Sequence, residues 1–184
     1  LRAGILDHMK QVWGAPASLD EVSVLPVIGT KELVASLPGQ LGLGPDSTIV
    51  IPACAYPTYR VGAQLAGAKI VAVNEPDEVD VAPDLIWINS PANPSGRVLD
   101  LDEMKAWVDL ARSTGAVLAS DECYGEFVWE GESVSVLDER VNSGDVTGLL
   151  ACLSMSKRSN MAGYRAGFAV GDAKLTSELL TVRK

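Results

Sequence analysis

Two hydrophobic patterns alternate along this chain. Short, continuous apolar runs rich in valine, isoleucine and leucine are separated by longer stretches in which apolar residues recur every three or four positions. The short runs are typical of buried strands, and the longer stretches are typical of helices with one apolar face. Strands that alternate with helices in this way predict an α/β fold with three layers, helix, sheet and helix, around a mainly parallel sheet.

The stretch 101–113 is the clearest of the predicted helices. Its apolar residues recur at intervals of three, four and three positions. Asp100 and Glu103 resemble a capping box at its start, and Gly115 follows its end. The other helices are predicted over 2–12, 31–42, 57–66 and 173–184. Strands are predicted near 22–28, 48–52, 69–73, 85–89, 116–120, 148–153 and 166–170.

Polar clusters follow four of the predicted strands. In open α/β sheets the binding crevice lies outside the carboxyl ends of the strands. Four clusters at four such ends therefore predict one shared binding site. The clusters are Gly29-Thr30-Lys31-Glu32, Asn89-Ser90-Pro91-Ala92-Asn93-Pro94-Ser95-Gly96, Asp121-Glu122-Cys123-Tyr124 and Ser154-Met155-Ser156-Lys157.

Lys157 stands among groups that are suited to anion binding. Its amine can form a Schiff base with a carbonyl compound when it is neutral, and the positive charges of Arg158 and Arg165 favour the neutral form. The hydroxyls of Ser154 and Ser156, together with Arg165, could hold a phosphate beside that amine. A basic, serine-rich surface loop is the alternative on this stretch alone.

Together with Tyr56-Pro57-Thr58-Tyr59, these motifs resemble those of the class I/II aminotransferases. These are fold-type-I enzymes that use pyridoxal 5′-phosphate (PLP). The spacing also matches: Asn93 and Asp121 are 28 positions apart, Asp121 and Lys157 are 36 apart, and Lys157 and Arg165 are 8 apart.

The resemblance implies a seven-stranded sheet whose last strand is antiparallel to the others. It also implies PLP as the cofactor, and an amino acid and a 2-oxo acid as the substrates. Within the family, three segments look most like the succinyldiaminopimelate aminotransferases of actinobacteria, which transfer an amino group to 2-oxoglutarate in lysine and diaminopimelate biosynthesis. These segments are Leu25–Leu33, Ala55–Tyr59 and Ala162–Phe168.

Catalytic and ring-binding roles follow from the same resemblance. Lys157 would attach to the cofactor's aldehyde and later move a proton. Asp121 would pair with the ring nitrogen, although aspartate is also a favoured helix N-cap. Asn93 and Tyr124 would reach the phenolic oxygen. A turn residue before Pro94 and a tyrosine packed in the core are the respective alternatives.

Phosphate binding is expected where the first strand turns into a helix. The backbone of Gly29, Thr30 and Lys31 would face the anion, and Ser154 and Arg165 would complete the site. Lys31 has a solvent-facing lysine as its alternative. An aromatic ring is also expected to stack on the cofactor. Tyr56 is the candidate for that position, with Tyr59 or a simple packing role as the alternatives.

Composition narrows the other possibilities. The chain has 184 residues, 47% of them hydrophobic, and a formal net charge of −9, which argues against nucleic acid as a partner. No apolar run is long enough for a membrane span, and a cytoplasmic protein is expected. The three cysteines, Cys54, Cys123 and Cys152, predict reduced, buried thiols without a disulfide or a metal site. The lone His8 predicts a solvated helix position.

Residues 1–184 are expected to be the PLP-binding large domain alone. Family members have an N-terminal segment and a C-terminal small domain that this chain lacks, and the resemblance implies a homodimer in the full-length form. The isolated chain is therefore expected to bind PLP weakly and to turn over little. Another fold-type-I enzyme, such as a β-lyase, and a non-catalytic PLP-binding module are the alternative functions.

Overall fold

The computed structural model of the chain describes residues 1–13 and 22–184. Within these residues, strands and helices alternate as predicted. The strands are β1 (Val22–Val27), β2 (Thr48–Pro52), β3 (Lys69–Val73), β4 (Leu85–Asn89), β5 (Val117–Asp121), β6 (Leu149–Ser154) and β7 (Gly167–Asp172). The helices are α1 (Arg2–Trp13), α2 (Thr30–Gln40), α3 (Thr58–Ala66), α4 (Leu101–Thr114), α5 (Glu139–Asn142), α6 (Met155–Arg158) and α7 (Ala173–Val182). Two 3₁₀ turns cover Pro76–Glu78 and Ala162–Tyr164.

The strands form a single sheet in the order β1-β7-β6-β5-β4-β2-β3. Strand β7 runs antiparallel to its neighbours β1 and β6, and the other neighbouring pairs are parallel. The predicted fold class and the antiparallel last strand are therefore confirmed. Asn89 at the end of β4 pairs with Asp121 at the end of β5, which in turn pairs with Cys152 on β6. This register places the polar residues that follow β4, β5 and β6 side by side, at the carboxyl ends of these strands.

Apolar side chains on the two faces of the sheet build two separate cores. On β4, Ile86 and Ile88 join the cluster that contains α1 and α4, whereas Leu85 and Trp87 join the cluster that contains α2, α3 and α7. Successive residues of a strand point to opposite faces. Because both faces are covered, the fold is a three-layer α/β/α arrangement.

Helix α4 shows how local sequence determines the ends of an element. The Asp100 carboxylate accepts hydrogen bonds from the backbone N–H groups of Asp102 and Glu103, and the Glu103 carboxylate accepts one from the Asp100 N–H. Gly115 ends the helix in the left-handed conformation, at φ 75°. The predicted capping box and glycine stop are therefore both present. The four-residue helices α5 and α6 were not predicted, because they are too short to show an apolar period.

Two minor expectations differ from the structure. His8 lies on α1 as predicted, but its side chain is only 21% exposed and its Nε2 lies 3.3 Å from Glu126 Oε1, so it is not simply solvated. The cysteines are free, yet Cys152 alone is fully buried, while Cys123 is partly buried and Cys54 is exposed.

In the part of the chain that the structure describes, no helix has the length and apolar character needed to cross a bilayer.

Candidate active site

A cavity of about 220 Å³ opens at the carboxyl ends of the central strands. Nine of the ten residues that the sequence singles out for cofactor binding line this cavity. Gly29 is the tenth, and it lies beside the cavity against the side chain of Arg165. The nine lining residues are Thr30, Lys31, Tyr56, Asn93, Asp121, Tyr124, Ser154, Lys157 and Arg165.

Asp121 lies at the end of β5 and is only 8% exposed. Its Oδ2 accepts a hydrogen bond of 2.7 Å from the Tyr59 hydroxyl, and its Oδ1 accepts one of 3.2 Å from the Cys123 N–H. No lysine, arginine or histidine among residues 1–13 and 22–184 makes an ion pair with it. Buried charges are normally paired, so this carboxylate is suited to a positively charged group inside the cavity.

Tyr59 was considered as an aromatic partner of the cofactor, but the structure gives it a different environment. Its ring is completely buried on α3 and packs against Trp87, with ring centroids 5.2 Å apart. Burial, and secondarily the charge of Asp121, raise the pKa of the Tyr59 hydroxyl far above its ordinary value. Tyr56 is partly exposed and lines the cavity, with Lys31 Nζ 6.0 Å from its ring centroid. Of the two tyrosines, Tyr56 is therefore the one with a ring available to a bound molecule.

The side chain of Asn89 forms hydrogen bonds both to the loop that carries Asn93 and to the end of β5, where Asp121 lies. Its Nδ2 donates hydrogen bonds to the backbone carbonyls of Pro91 and Asp121, at 3.0 and 2.8 Å. Its Oδ1 accepts a hydrogen bond of 2.7 Å from the Asn93 N–H. All three bonds are made by one side chain that is 7% exposed, so Asn89 fixes the position of Asn93 relative to the end of β5.

Lys157 lies on α6, immediately after β6. Lys157 is exposed, and its Nζ lies 5.7 Å from the centroid of the Tyr124 ring. The predicted contribution of Arg158 to this amine is not supported, because Arg158 does not line the cavity and instead forms an ion pair with Glu126. Among the described residues, no acidic side chain forms a salt bridge with Lys157, which leaves its amine available on the cavity wall.

Another part of the cavity wall combines several features of an anion site. Helix α2 begins at Thr30, and no side chain in the described part of the chain caps its N-terminus, so its first backbone N–H groups are available to an anion. The guanidinium of Arg165 lies beside this helix start and donates from Nη1 to the Ala162 carbonyl at 2.9 Å. Ser154, at the end of β6, accepts a hydrogen bond from the Ser156 N–H at 3.1 Å.

Gly29 makes the close approach between Arg165 and the start of α2 possible. Its φ of 74° is strained for any residue with a side chain. A Cβ at this position would lie 2.8 Å from Cζ of Arg165. Arg165 itself has a positive φ of 51°, which is uncommon outside glycine and asparagine. The local backbone therefore gives up some stability to place a guanidinium at the cavity.

Several supporting contacts of the site were not predicted from the sequence. Asn89 and Tyr59 make structural hydrogen bonds to the predicted residues, and Cys123 contacts Thr30, with Sγ 3.3 Å from Oγ1. Burial, followed by the charge of Asp121, raises the pKa of the Cys123 thiol. The polar Asn89 at the end of the otherwise apolar β4 was a usable signal. Cavity-lining residues for which the sequence predicted no binding role are Val34, Asn89, Cys123 and Ala162.

This fold and site match one family of enzymes. The chain belongs to the family of class I and II aminotransferases, whose sequence profile matches residues 5–184. The family named at the sequence level is thereby confirmed, and it is a PLP-dependent family.

Individual relatives agree with this assignment. The chain is 51% identical over 168 residues to the 4-dedimethylamino-4-oxo-anhydrotetracycline transaminase of Streptomyces rimosus, covering 91% of this chain and 47% of that protein. It is 49% identical over 185 residues to a probable aminotransferase of Mycobacterium tuberculosis, and this match covers 100% of this chain and 44% of that protein. Among solved structures, a probable N-succinyldiaminopimelate aminotransferase from Thermus thermophilus has a TM-score of 0.88 at 26% identity. This match covers 98% of this chain and 51% of that protein. The chain therefore spans about half the length of these relatives.

The residues present are chemically suited to PLP. The cofactor carries an aldehyde, a ring nitrogen that becomes cationic when protonated, and a phosphate. The cavity offers an available lysine amine, a buried carboxylate with no cationic partner within residues 1–13 and 22–184, and, beside an arginine, a helix start that no side chain from these residues caps. Each chemical feature of the cofactor therefore has a complementary group on the cavity wall.

Proposed function

We propose that this chain is the PLP-binding part of an aminotransferase, which moves an amino group between an amino acid and a 2-oxo acid. One observation supports the proposal above the others. Lys157 and Asp121 belong to different elements, yet they line the same cavity, and Asp121 has no ion-pair partner among the described residues. An amine and an unpaired carboxylate in one cavity are what a cofactor with an aldehyde and a basic ring nitrogen requires.

The roles proposed for the individual residues follow from the family resemblance, and the position of nine of the ten on the cavity wall supports them. Lys157 would hold the aldehyde end, Asp121 the ring nitrogen, and Asn93 and Tyr124 the phenolic oxygen. Tyr56 would stack on the ring. The phosphate would be held by the backbone at Gly29, Thr30 and Lys31, and by Ser154 and Arg165.

When bound, PLP supplies an electron-accepting ring and an aldehyde that takes up amino groups. The protein supplies charge and proton transfer. A fixed negative charge at Asp121 keeps a proton on the ring nitrogen. The Nζ of Lys157, once free, would accept a proton from the substrate carbon and deliver it to the carbon on the other side of the transferred nitrogen. Arg165 would hold the phosphate through charge-assisted hydrogen bonds.

Titration with PLP, followed by visible absorbance, tests this proposal. The unmodified chain should develop the absorbance band of a lysine-bound cofactor, and Lys157→Ala should not. Lys174→Ala is a matched control, because Lys174 is exposed on α7 and does not line the cavity. If Lys157→Ala keeps the band, or if the unmodified chain never forms it at saturating PLP, the proposal is wrong.

For the substrate, we propose N-succinyl-LL-2,6-diaminopimelate with 2-oxoglutarate, in lysine and diaminopimelate biosynthesis. The segments named above and the structural similarity to the Thermus thermophilus protein support this assignment. We also propose a cytoplasmic homodimer for the full-length protein, by analogy with the family. Glutamate formed from 2-oxoglutarate in the presence of this donor, measured by mass spectrometry, is the expected result. Release of pyruvate and ammonia would indicate a β-lyase instead.

The similarity to the Streptomyces rimosus transaminase favours a second candidate substrate. Because this chain is 51% identical to that transaminase, a ketone on a polycyclic ring is a second candidate amino acceptor. The two candidates can be separated by offering the full-length enzyme either the succinylated donor with 2-oxoglutarate, or 4-dedimethylamino-4-oxo-anhydrotetracycline with an amino acid as the amino donor. Amination of the ring ketone, without turnover of the succinylated donor, would replace the first substrate with the second.

A further inference from the structure

A hydrogen bond from α3 to the end of β5 joins two residues that are 62 positions apart. Tyr59 is completely buried, and its hydroxyl donates to Oδ2 of Asp121 at 2.7 Å. We propose that Tyr59 is a positioning residue that keeps Asp121 ionised and oriented toward the ring nitrogen of PLP. This inference rests on the proposed function, and it concerns a residue to which the roles above assign nothing.

The direction of this hydrogen bond is fixed by the chemistry of the pair. Burial raises the pKa of the Tyr59 hydroxyl far above its ordinary value, and the charge of Asp121 adds to the effect. The hydroxyl therefore keeps its proton and acts as a constant donor. A hydrogen bond donated to a carboxylate favours the charged form of that carboxylate. Tyr59 thus stabilises the negative charge that the ring nitrogen requires.

The geometry leaves Asp121 able to bind the cofactor as well. Its second oxygen, Oδ1, accepts from the Cys123 N–H at 3.2 Å. An ionised carboxylate has about four acceptor sites, so each oxygen retains room for another donor. The carboxylate is therefore held from two sides, by α3 and by the turn after β5. Packing of the Tyr59 ring against Trp87 holds the donor in place.

Other titratable groups around Asp121 must be considered in any test that uses pH. Cys123 and Cys152 have thiol pKa values that burial raises, so both stay neutral in the acid range. Burial also raises the pKa of Glu122, to about 7, so this group titrates within the range of interest. Its contribution is common to variants compared at the same pH. Besides Tyr59 and Asp121, the charged and phenolic groups that line the cavity are Lys31, Tyr56, Tyr124, Lys157 and Arg165.

The test compares Tyr59→Phe with the unmodified chain across the acid to neutral range. Phenylalanine keeps the ring and removes only the donor. The dissociation constant for PLP should rise roughly tenfold at neutral pH, and the acid limb of the binding profile should move up by about one pH unit. Tyr164→Phe is the control, because Tyr164 is 76% exposed and does not line the cavity. It should leave the profile unchanged.

Adding the variant Asp121→Asn separates positioning from a general structural role. If Tyr59 acts through Asp121, then Tyr59→Phe should have no further effect on PLP affinity in the Asp121→Asn background. A lower melting temperature with an unchanged binding profile would overturn the inference, because it would show a packing role only. An equal loss of affinity in both backgrounds would overturn it too.

Failure of the proposed function gives a different result. In that case the unmodified chain would not form the Lys157-dependent band at all, whereas failure of this inference leaves that band intact. If Tyr59→Phe does not fold, tyrosine labelled with ¹³C at Cζ provides a second measurement. The Tyr59 signal should shift in Asp121→Asn while the Tyr164 signal does not, and an unmoved Tyr59 signal would overturn the inference.

Discussion

Substitution of Gly29 by alanine perturbs the candidate phosphate site in a way that the structure defines closely. Gly29 has a φ of 74°, and an added Cβ would lie 2.8 Å from Cζ of Arg165. Two costs follow. The backbone is strained because an L-residue rarely adopts this conformation, and the guanidinium of Arg165 must move away from the start of α2.

The two costs differ in size and in the property that they change. A positive φ costs an alanine about 1–2 kcal/mol, which lowers the melting temperature of a protein of this size by about 2–8 °C. Loss of a hydrogen bond to a charged group costs about 1.5–3 kcal/mol. Because Arg165 is exposed, solvent screening favours the lower end of that range. We therefore expect PLP affinity to fall about tenfold.

Gly42→Ala is the matched control for the backbone cost. Gly42 has a φ of 71° and no atom within 4 Å of an added Cβ. Both variants should lose melting temperature in differential scanning fluorimetry, but only Gly29→Ala should bind PLP more weakly in the absorbance titration. Equal PLP affinity for the two variants would refute the idea that Arg165 holds the cofactor phosphate.

Two further predictions concern buried polar groups near the site. Burial raises the pKa of Glu122 from 4.5 to about 7, so between these pH values the folded state binds a proton that the unfolded state does not. The stability that Glu122 contributes is therefore complete below pH 4.5 and is lost as the pH rises to about 7. Over this range the free energy of unfolding should fall by about 3 kcal/mol. Urea unfolding should show this loss, and Glu122→Gln should abolish it; equal pH slopes for the two proteins would contradict the prediction. Asn89→Ala should lower stability by about 2–4 kcal/mol, since it removes the three hydrogen bonds of a buried side chain, and should also weaken PLP binding. Asn142→Ala, which removes another buried asparagine with two backbone hydrogen bonds, should lower stability alone, so similar PLP affinities in the two variants would count against Asn89.

The sequence was informative about the fold because each element carried its own local signal. The apolar runs of the central strands are buried on both faces, which makes them stand out from the amphipathic helices. The limits of α4 followed from Asp100, Glu103 and Gly115 alone. By contrast, α5 and α6 are stabilised by short caps from Asp138 and Ser154, and such single hydrogen bonds leave no periodic pattern to read.

The candidate site was predictable wherever a residue belongs to a motif at a strand end. It was not predictable where a side chain acts through a contact between distant elements. The bond between Tyr59 and Asp121 depends on how α3 packs against the sheet, and the pairing of Arg158 with Glu126 depends on the path of the loop after β5. Neither contact has a local sequence signature, so the supporting residues emerged only with the structure.

The central claim is that Lys157 and Asp121 enclose the same cofactor, and covalent trapping tests it most directly. PLP-loaded protein can be reduced with borohydride, which makes a bond between the cofactor and a lysine permanent, and then digested and analysed by mass spectrometry. The account predicts that the cofactor mass is found on the peptide containing Lys157, and that Asp121→Asn lowers its yield at limiting PLP. Labelling of Lys31 or Lys174 in place of Lys157, or a yield that is indifferent to Asp121, would contradict it.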